Sequence, residues 1–354
     1  PELLAARAKR QAGELDAEAL RAIEDEHIVE AVRRQQDVGL RSATDGEFRR
    51  RFFHTDFLER LGGVEVRGGI EARFKGKLGE VAFAPPVLAV TGKLRHLEPI
   101  QLADFEFLAA AAGPAQTPKV CIPSPTMVHF RGGRQAIDLD AYPELDAFFD
   151  DLAACYRAEL RALYEAGCRY VQLDDTNLAY LCDPKLRAGA AARGDDPDRL
   201  PRTYAELINA ALDGRPEDLA VSVHLCRGNF RSAWVAEGGY EPVADVLFNA
   251  LEVDGFFLEY DDARSGDFAP LRFVPKGKSV VLGLVTTKVG QLERAKDLIR
   301  RVEAAARHVP LDQLCLSPQC GFSSSSEGNQ LSRDAQWAKL ELVVEVAREV
   351  WGQD

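Results

Sequence analysis

The chain has 354 residues, 46% hydrophobic and 28% charged, which is enough apolar content for one large α/β domain or two small ones. A formal net charge of -12 argues against a nucleic-acid partner, and the arginines are interspersed with acids as on solvated helix faces. No apolar run is long enough to cross a bilayer, no secretory pattern opens the chain, and seven scattered cysteines point to a reducing, cytoplasmic setting.

The sequence starts at Pro1-Glu2 without an initiator Met, so a trimmed start is expected. Residues 16–37 carry Ala, Leu, Ile and Val at helical spacing among Glu, Asp and Arg, and Gly39 stops that helix. Leu40 to Gly46 reads as a short strand closing on Asp45-Gly46-Glu47, either a solvated turn or a ligand site. Residues 61–100 change character. Frequent Gly, alternation at Val64-Glu65-Val66, and short apolar runs at 81–83 and 87–91 indicate a β-rich insertion.

An Ala-rich helix over 101–112 follows, then a strand over 118–124 halted by Pro123 and Pro125. A long helix over 143–166 leads to a strand from Arg169 to Leu173 that closes on Asp174-Asp175. Beyond a helix over 200–213, a strand runs from Leu219 to Cys226, and a short helix covers 241–249. Strands from Asp254 to Tyr260 and from Ser279 to Val285 come next, then an amphipathic helix from Gln291 to His308. A strand from Gln313 to Ser317 and a helix over 332–351 complete the chain.

Outside the insertion this gives seven strands, most followed by helices, an alternation that implies parallel strands with helical crossovers. Seven is one short of a (β/α)8 TIM barrel, so the first strand is expected just before residue 1, and residues 1–354 form a single barrel domain. A doubly wound sheet is the other fold to weigh, but no glycine-rich nucleotide loop follows any strand.

Polar residues gather at the C-terminal strand ends, which converge on one face in a barrel. Glu47, Asp174, His224, Cys226, Glu259 and Cys320 all lie there. His224 and Cys226, two apart on one strand, leave it side by side, and Arg227-Gly228-Asn229 lets the backbone turn away. With Cys320 they make three zinc ligands and leave a position for exchange, the catalytic arrangement. Glu259 is either a fourth ligand that yields to substrate or a carboxylate supporting a ligand. Two thiolates suit zinc to holding an incoming thiol as a nucleophile for alkyl transfer. Glu47 and Asp174 are then placed to grip a substrate ammonium, which together define an amino-thiol substrate.

Four segments carry a resemblance to cobalamin-independent methionine synthases: Asp45-Gly46-Glu47-Phe48-Arg49, Val171-Gln172-Leu173-Asp174-Asp175, His224-Leu225-Cys226 and Ser317-Pro318-Gln319-Cys320-Gly321. The resemblance implies a (β/α)8 domain with Zn2+ on His224, Cys226, Glu259 and Cys320, and homocysteine's amine on Glu47 and Asp174. It implies methyl transfer to the homocysteine thiol, giving methionine, from a methyl-folate or another methyl carrier. The chain departs from the family in two places. Leu284-Val285-Thr286-Thr287-Lys288 replaces the Asp-Ile-His-Ser stretch whose His is a proton-donor candidate, and His129 and Phe130 stand where a Trp meets the pterin. Short relatives that attach coenzyme M to epoxides offer a second reading. A non-catalytic barrel that presents acids to a protein partner is a third.

The remaining candidates have plainer expectations. Cys121, Cys155, Cys168, Cys182 and Cys315 read as small core or semi-buried residues, and His27 and His308 as structural. Arg49-Arg50-Arg51 either meets an anionic substrate tail or is solvated charge, and Lys288 is placed to contact an anionic donor. A proton donor is sought among His129, Lys288 and water.

Overall fold

Local chemistry sets the element boundaries in the computed structural model, which describes residues 2–69, 72–76, 79–83, 86–323 and 328–352. Helix α1 (Glu2–Gln11) precedes α2 (Ala17–Val38). Helix α2 begins where the Asp16 carboxylate accepts the Ala19 N–H at 2.7 Å, and it ends at Gly39 with φ 97°. Strand β1 (Ser42–Ala43) leads to α3 (Thr55–Leu58). The expected insertion is two antiparallel pairs: β2 (Gly62–Arg67) with β5 (Val87–Arg95), and β3 (Ala72–Gly76) with β4 (Gly79–Phe83).

The chain continues through α4 (Leu102–Ala112), β6 (Thr117–Pro118), β7 (Val120–Pro123), α5 (Leu145–Glu165) and β8 (Tyr170–Asp175). Next come α6 (Asn177–Tyr180), α7 (Pro184–Ala192), α8 (Leu200–Leu212), β9 (Ala220–Leu225) and β10 (Gly255–Glu259). It closes with β11 (Ser279–Val285), α9 (Ala295–Ala305), β12 (Leu314–Pro318) and α10 (Arg333–Trp351). The helix expected over 241–249 is instead a 3₁₀ turn, Glu241–Val243, and one π turn, Val246–Ala250.

Strands β7 to β12 form a six-stranded parallel sheet in sequence order, and β6, one residue ahead of β7, pairs in parallel with β1. The order never reverses, so there is no switch point and the doubly wound alternative falls away. The helices at the two ends of this order meet. Arg333 reaches Glu30 at 3.1 Å, and the Arg34 guanidinium lies 4.7 Å from the Trp337 ring centroid. The architecture is a (β/α)8 barrel, and the described residues supply seven of its strands.

Alternation along the strands separates core from site. Val171, Leu173, Val221, Val223, Phe256, Leu258, Val280 and Leu282 are fully buried and pack with Phe148, Leu152, Tyr204 and Ile208 of α5 and α8. Gln172 and Asp174 on β8, and Ser222 and His224 on β9, occupy the opposite face. Cys155, Cys168 and Cys182 are buried thiols, as expected. Cys315 is exposed rather than semi-buried.

Glu159 ties α5 to the start of α4. It is fully buried, accepts the Ile100 and Gln101 N–H groups at 2.8 and 2.7 Å, and meets His96 Nε2 at 2.7 Å. Glu159→Ala leaves two buried donors without an acceptor, so a loss of about 3 kcal/mol is expected, read as a lower urea midpoint at an unchanged slope.

Candidate metal centre

Strand register builds the site. Asp174 on β8 stands opposite His224 on β9, and Pro123 on β7 stands opposite Asp174. The Asp174–His224 pairing puts an acid beside an imidazole at the barrel mouth, with His224 Nδ1 3.2 Å from Asp174 Oδ1. Gln172, two residues back on the same face, donates Nε2–H to the same oxygen at 2.7 Å. Neither bond uses Asp174 Oδ2.

His224, Cys226 and Cys320 converge so that one ligand atom from each lies within 4.8 Å of the others, and the two sulfurs are 3.6 Å apart. Cys226 follows β9, and Cys320 follows β12 across the mouth. His224 Nε2 is buried and has no hydrogen-bond partner, while Nδ1 is held by Asp174. An imidazole beside two sulfurs, with Nε2 unpartnered and Nδ1 fixed by a carboxylate, is the donor set and support of a soft-metal site. These residues fit zinc.

The electrostatics agree. Burial opposes a charge on His224, but the Asp174 hydrogen bond and the nearby Cys320, Asp174 and Glu259 overcome it and raise its pKa to about 9. The hydrogen bond with Cys320, and then burial, push the Cys226 thiol well above its ordinary value. Metal binding at these atoms would displace any protons they carry.

Glu47 and Asp174 form a second group with Cys121, again within 4.8 Å. Gly46 and Glu47 have φ of 67° and 54°, and Asp45 Oδ1 accepts the Glu47 N–H at 2.9 Å. This strained turn brings Glu47 to Asp174, and a Cβ on Gly46 would lie 2.9 Å from the Phe48 ring. Both acids, placed by the sequence to grip a substrate ammonium, already have partners within the protein: Asp174 orients His224, and Glu47 lies 3.5 Å from Arg50. Burial raises the Glu47 carboxyl to about 7 despite Arg50, with Asp174, Asp45 and Cys320 adding to the rise. Cys121, expected to be an ordinary core residue, lines this group, and burial pushes its thiol up. Its strand position opposite Gln172, two residues before Asp174, is the signal that would have found it.

Glu259 ends β10, fully buried, and is not among the three converging ligands. Its Oε2 accepts the Arg227 N–H at 2.7 Å, and its Oε1 meets Lys288 Nζ at 3.1 Å and the Arg264 guanidinium. Burial opposes its charge, but Lys288, Arg264 and Arg227 outweigh that and hold the carboxyl at about 2. Lys288 is therefore engaged internally rather than presented to a donor. His129 is also engaged: it is buried with Nδ1 2.9 Å from the Tyr204 hydroxyl. Arg49 pairs with Asp25 and Asp104, and Arg50 bonds Gln101, so neither is solvated charge.

The insertion reaches the loop after β9. Lys75 and Trp234 exchange both backbone hydrogen bonds at 2.7 Å, and Lys75 Nζ lies 3.1 Å from Glu237. The Arg264 guanidinium in turn lies 4.8 Å from the Trp234 ring centroid.

The family model described as "Cobalamin-independent synthase, Catalytic domain" matches residues 1–349. The chain belongs to this family. The uncharacterized protein YxjH of Bacillus subtilis (strain 168) is 48% identical over 347 residues, covering 98% of this chain and 90% of its own. A crystal structure of a candidate vitamin-B12-independent methionine synthase from Listeria monocytogenes superposes with a TM-score of 0.79 at 38% identity, covering 99% of this chain and 94% of that one. A B12-independent methionine synthase from Shewanella sp. W3-18-1, solved in complex with selenomethionine, shares the fold at a TM-score of 0.72 and 20% identity, covering 96% and 91%. Membership makes this barrel a methyltransferase-family enzyme with a candidate metal site. No described helix is long and apolar enough to cross a membrane.

Proposed function

We propose that this family member transfers a methyl group to the thiol of homocysteine, giving methionine. His224, Cys226 and Cys320 would hold zinc, and Glu47 and Asp174 would hold the substrate ammonium. One observation carries the reading: a soft-ligand trio and an acid pair meet through the Asp174–His224 contact. A zinc ion bound there supplies a seat on which a thiol is held as thiolate near neutral pH. The protein's own part is positioning. Asp174 fixes the His224 ring through Nδ1, which leaves Nε2 for the metal. Its Oδ2 and the Glu47 carboxylate face the amine, so sulfur and ammonium are fixed together and the sulfur is aligned with the methyl donor. Cys121, kept neutral by burial, lines that pocket without adding charge.

The methyl group leaves a donor nitrogen or another carrier, and the donor takes up a proton in exchange. A methyl-folate or another methyl carrier fits this stoichiometry. Coenzyme M fits the site less well, because its anionic sulfonate would meet Glu47 and Asp174 where an ammonium is wanted. A buried trio of soft ligands also weighs against a purely presenting, non-catalytic barrel. An assay pairing homocysteine or coenzyme M with methyl-folate, methylcobalamin and small epoxides tests the reading. Methionine formation supports it, and turnover only with coenzyme M and an epoxide overturns it.

Glu47 gives this reading a pH signature. With its carboxyl at about 7 in the free protein, Glu47 takes up a proton as the pH falls and loses the charge that attracts the ammonium. The value of kcat/KM for homocysteine is expected to drop as the pH falls through about 7, since that parameter reports free-enzyme groups. In Glu47→Gln the limb is expected to vanish, leaving a low, flat profile.

A further inference from the structure

Arg131 is a half-buried cation with no carboxylate partner among the described residues. Arginines on other strand-end loops are matched: Arg49 by Asp25 and Asp104, Arg50 by Glu47, and Arg264 by Glu259, Asp261 and Asp262. Arg131 Nη1 instead lies 3.4 Å from His54 Nε2. A guanidinium only donates, so this ring nitrogen accepts and the imidazole proton lies on Nδ1. His54 Nδ1 is itself buried without a hydrogen-bond partner. The second neighbour of Arg131 is the Tyr180 hydroxyl. Burial lowers the Arg131 pKa and Tyr180 opposes that fall, and the guanidinium stays charged at neutral pH. A charge withdrawn from water without a counter-charge is costly, and proteins keep such costs chiefly where function needs them.

Three strand-end loops place this group at the barrel mouth. His54 follows β1 in the loop that carries Glu47, Arg131 lies beyond β7, and Tyr180 closes α6 after β8. The Tyr180 hydroxyl lies against the turn after Cys226: a Cβ on Gly228, whose φ is 87°, would come within 3.2 Å of it. Cys226 acts on Tyr180 electrostatically, whereas neither Glu47 nor Asp174 acts on Arg131. Arg131 is thus joined to the trio through Tyr180 and stands apart from the two acids. Homocysteine carries its carboxylate and its ammonium on one carbon. With the ammonium on Glu47 and Asp174, that carboxylate stays beside those acids, so the anion for Arg131 comes from another molecule.

Resting on the homocysteine reading above, we propose that Arg131, with His54 and Tyr180, is an anion subsite that takes a carboxylate of the methyl donor. The guanidinium offers paired N–H groups that match a carboxylate in a two-point contact, and the Tyr180 hydroxyl supplies a further donor. The methyl donor then lies on the Tyr180 side of the trio, away from the acids that hold the ammonium.

The test is calorimetric titration of the zinc-loaded full chain with 5-methyltetrahydrofolate and with its counterpart whose glutamate carboxylates are amides. Wild type is expected to bind the diacid about tenfold more tightly than the diamide. In R131Q that preference is expected to vanish through loss of diacid affinity, while the affinities for the diamide and for homocysteine stay within about threefold of wild type. The urea midpoint of R131Q is expected to hold or rise, because an uncompensated charge has been removed. Equal affinity of wild type for the two folates, or binding of neither, overturns the proposal. So does an R131Q protein that keeps the diacid preference, or one that loses homocysteine affinity instead, which assigns the anion to the amino acid. A lowered midpoint identifies a structural arginine and overturns it as well. A diacid preference that depends on Arg131, in a protein that makes no methionine from any donor, refutes the homocysteine reading and leaves the anion subsite standing.

Discussion

Cys226→Ala is expected to lose the metal and methionine formation together. The Cys226 sulfur lies 3.6 Å from that of Cys320, and both sit within 4.8 Å of a His224 ring nitrogen, so no other described ligand takes its place. Losing an outer hydrogen-bond partner of a metal ligand typically costs about 10–100-fold in metal affinity or activity, and losing the ligand itself is expected to exceed that range. Metal content and turnover should fall in parallel, with far-ultraviolet circular dichroism unchanged. The residue contributes a small buried side chain at a strand end, and the parallel sheet beneath it is held by backbone pairing. Full activity in a metal-free Cys226→Ala protein would rule out the trio as the thiol's seat.

Asp174→Asn is expected to lower kcat/KM for homocysteine by about 10²–10³-fold, because the carboxylate has two tasks. It holds His224 Nδ1 at 3.2 Å, and its charge would meet the substrate ammonium. An amide keeps the shape but removes the charge, and it can present an N–H toward the ring. The two tasks separate experimentally. The amine contribution appears as a raised KM that disappears when homocysteine is replaced by a thiol lacking the ammonium. The His224 contribution appears as weaker zinc retention with any thiol. A variant that alters neither would leave Asp174 outside the site.

The sequence revealed the barrel because most strands announced themselves twice, by an apolar run and by a polar terminus; the first, Ser42–Ala43, is far shorter than the expected Leu40 to Gly46. Ala220–Leu225, Gly255–Glu259 and Ser279–Val285 fall within a residue of their expected bounds. Helices Glu2–Gln11 and Pro184–Ala192 were not foreseen: the first has few buried positions, and the second is a run of Ala and Gly with little periodic contrast. The convergence of His224, Cys226 and Cys320 was legible because soft donors at strand ends are chemically distinctive. What surrounds it was not. That Asp174 orients His224 depends on β8–β9 register, and that Lys288 and Arg264 hold Glu259 depends on how the loops after the neighbouring strands β10 and β11 fold back. Lysine or arginine near an acid is common in any sequence, so spacing alone carries no sign of such a cluster. The clasp between Lys75 and Trp234 joins residues far apart in the chain through backbone atoms, which leave no mark on residue type.

The most direct test of a zinc-held thiol is X-ray absorption at the zinc edge, before and after homocysteine is added to the loaded protein. With His224, Cys226 and Cys320 as the protein ligands, the resting shell should contain two sulfurs and a nitrogen, and homocysteine should add a third sulfur. A sulfur count that homocysteine leaves unchanged, or a resting shell without two sulfurs, would contradict the proposed centre.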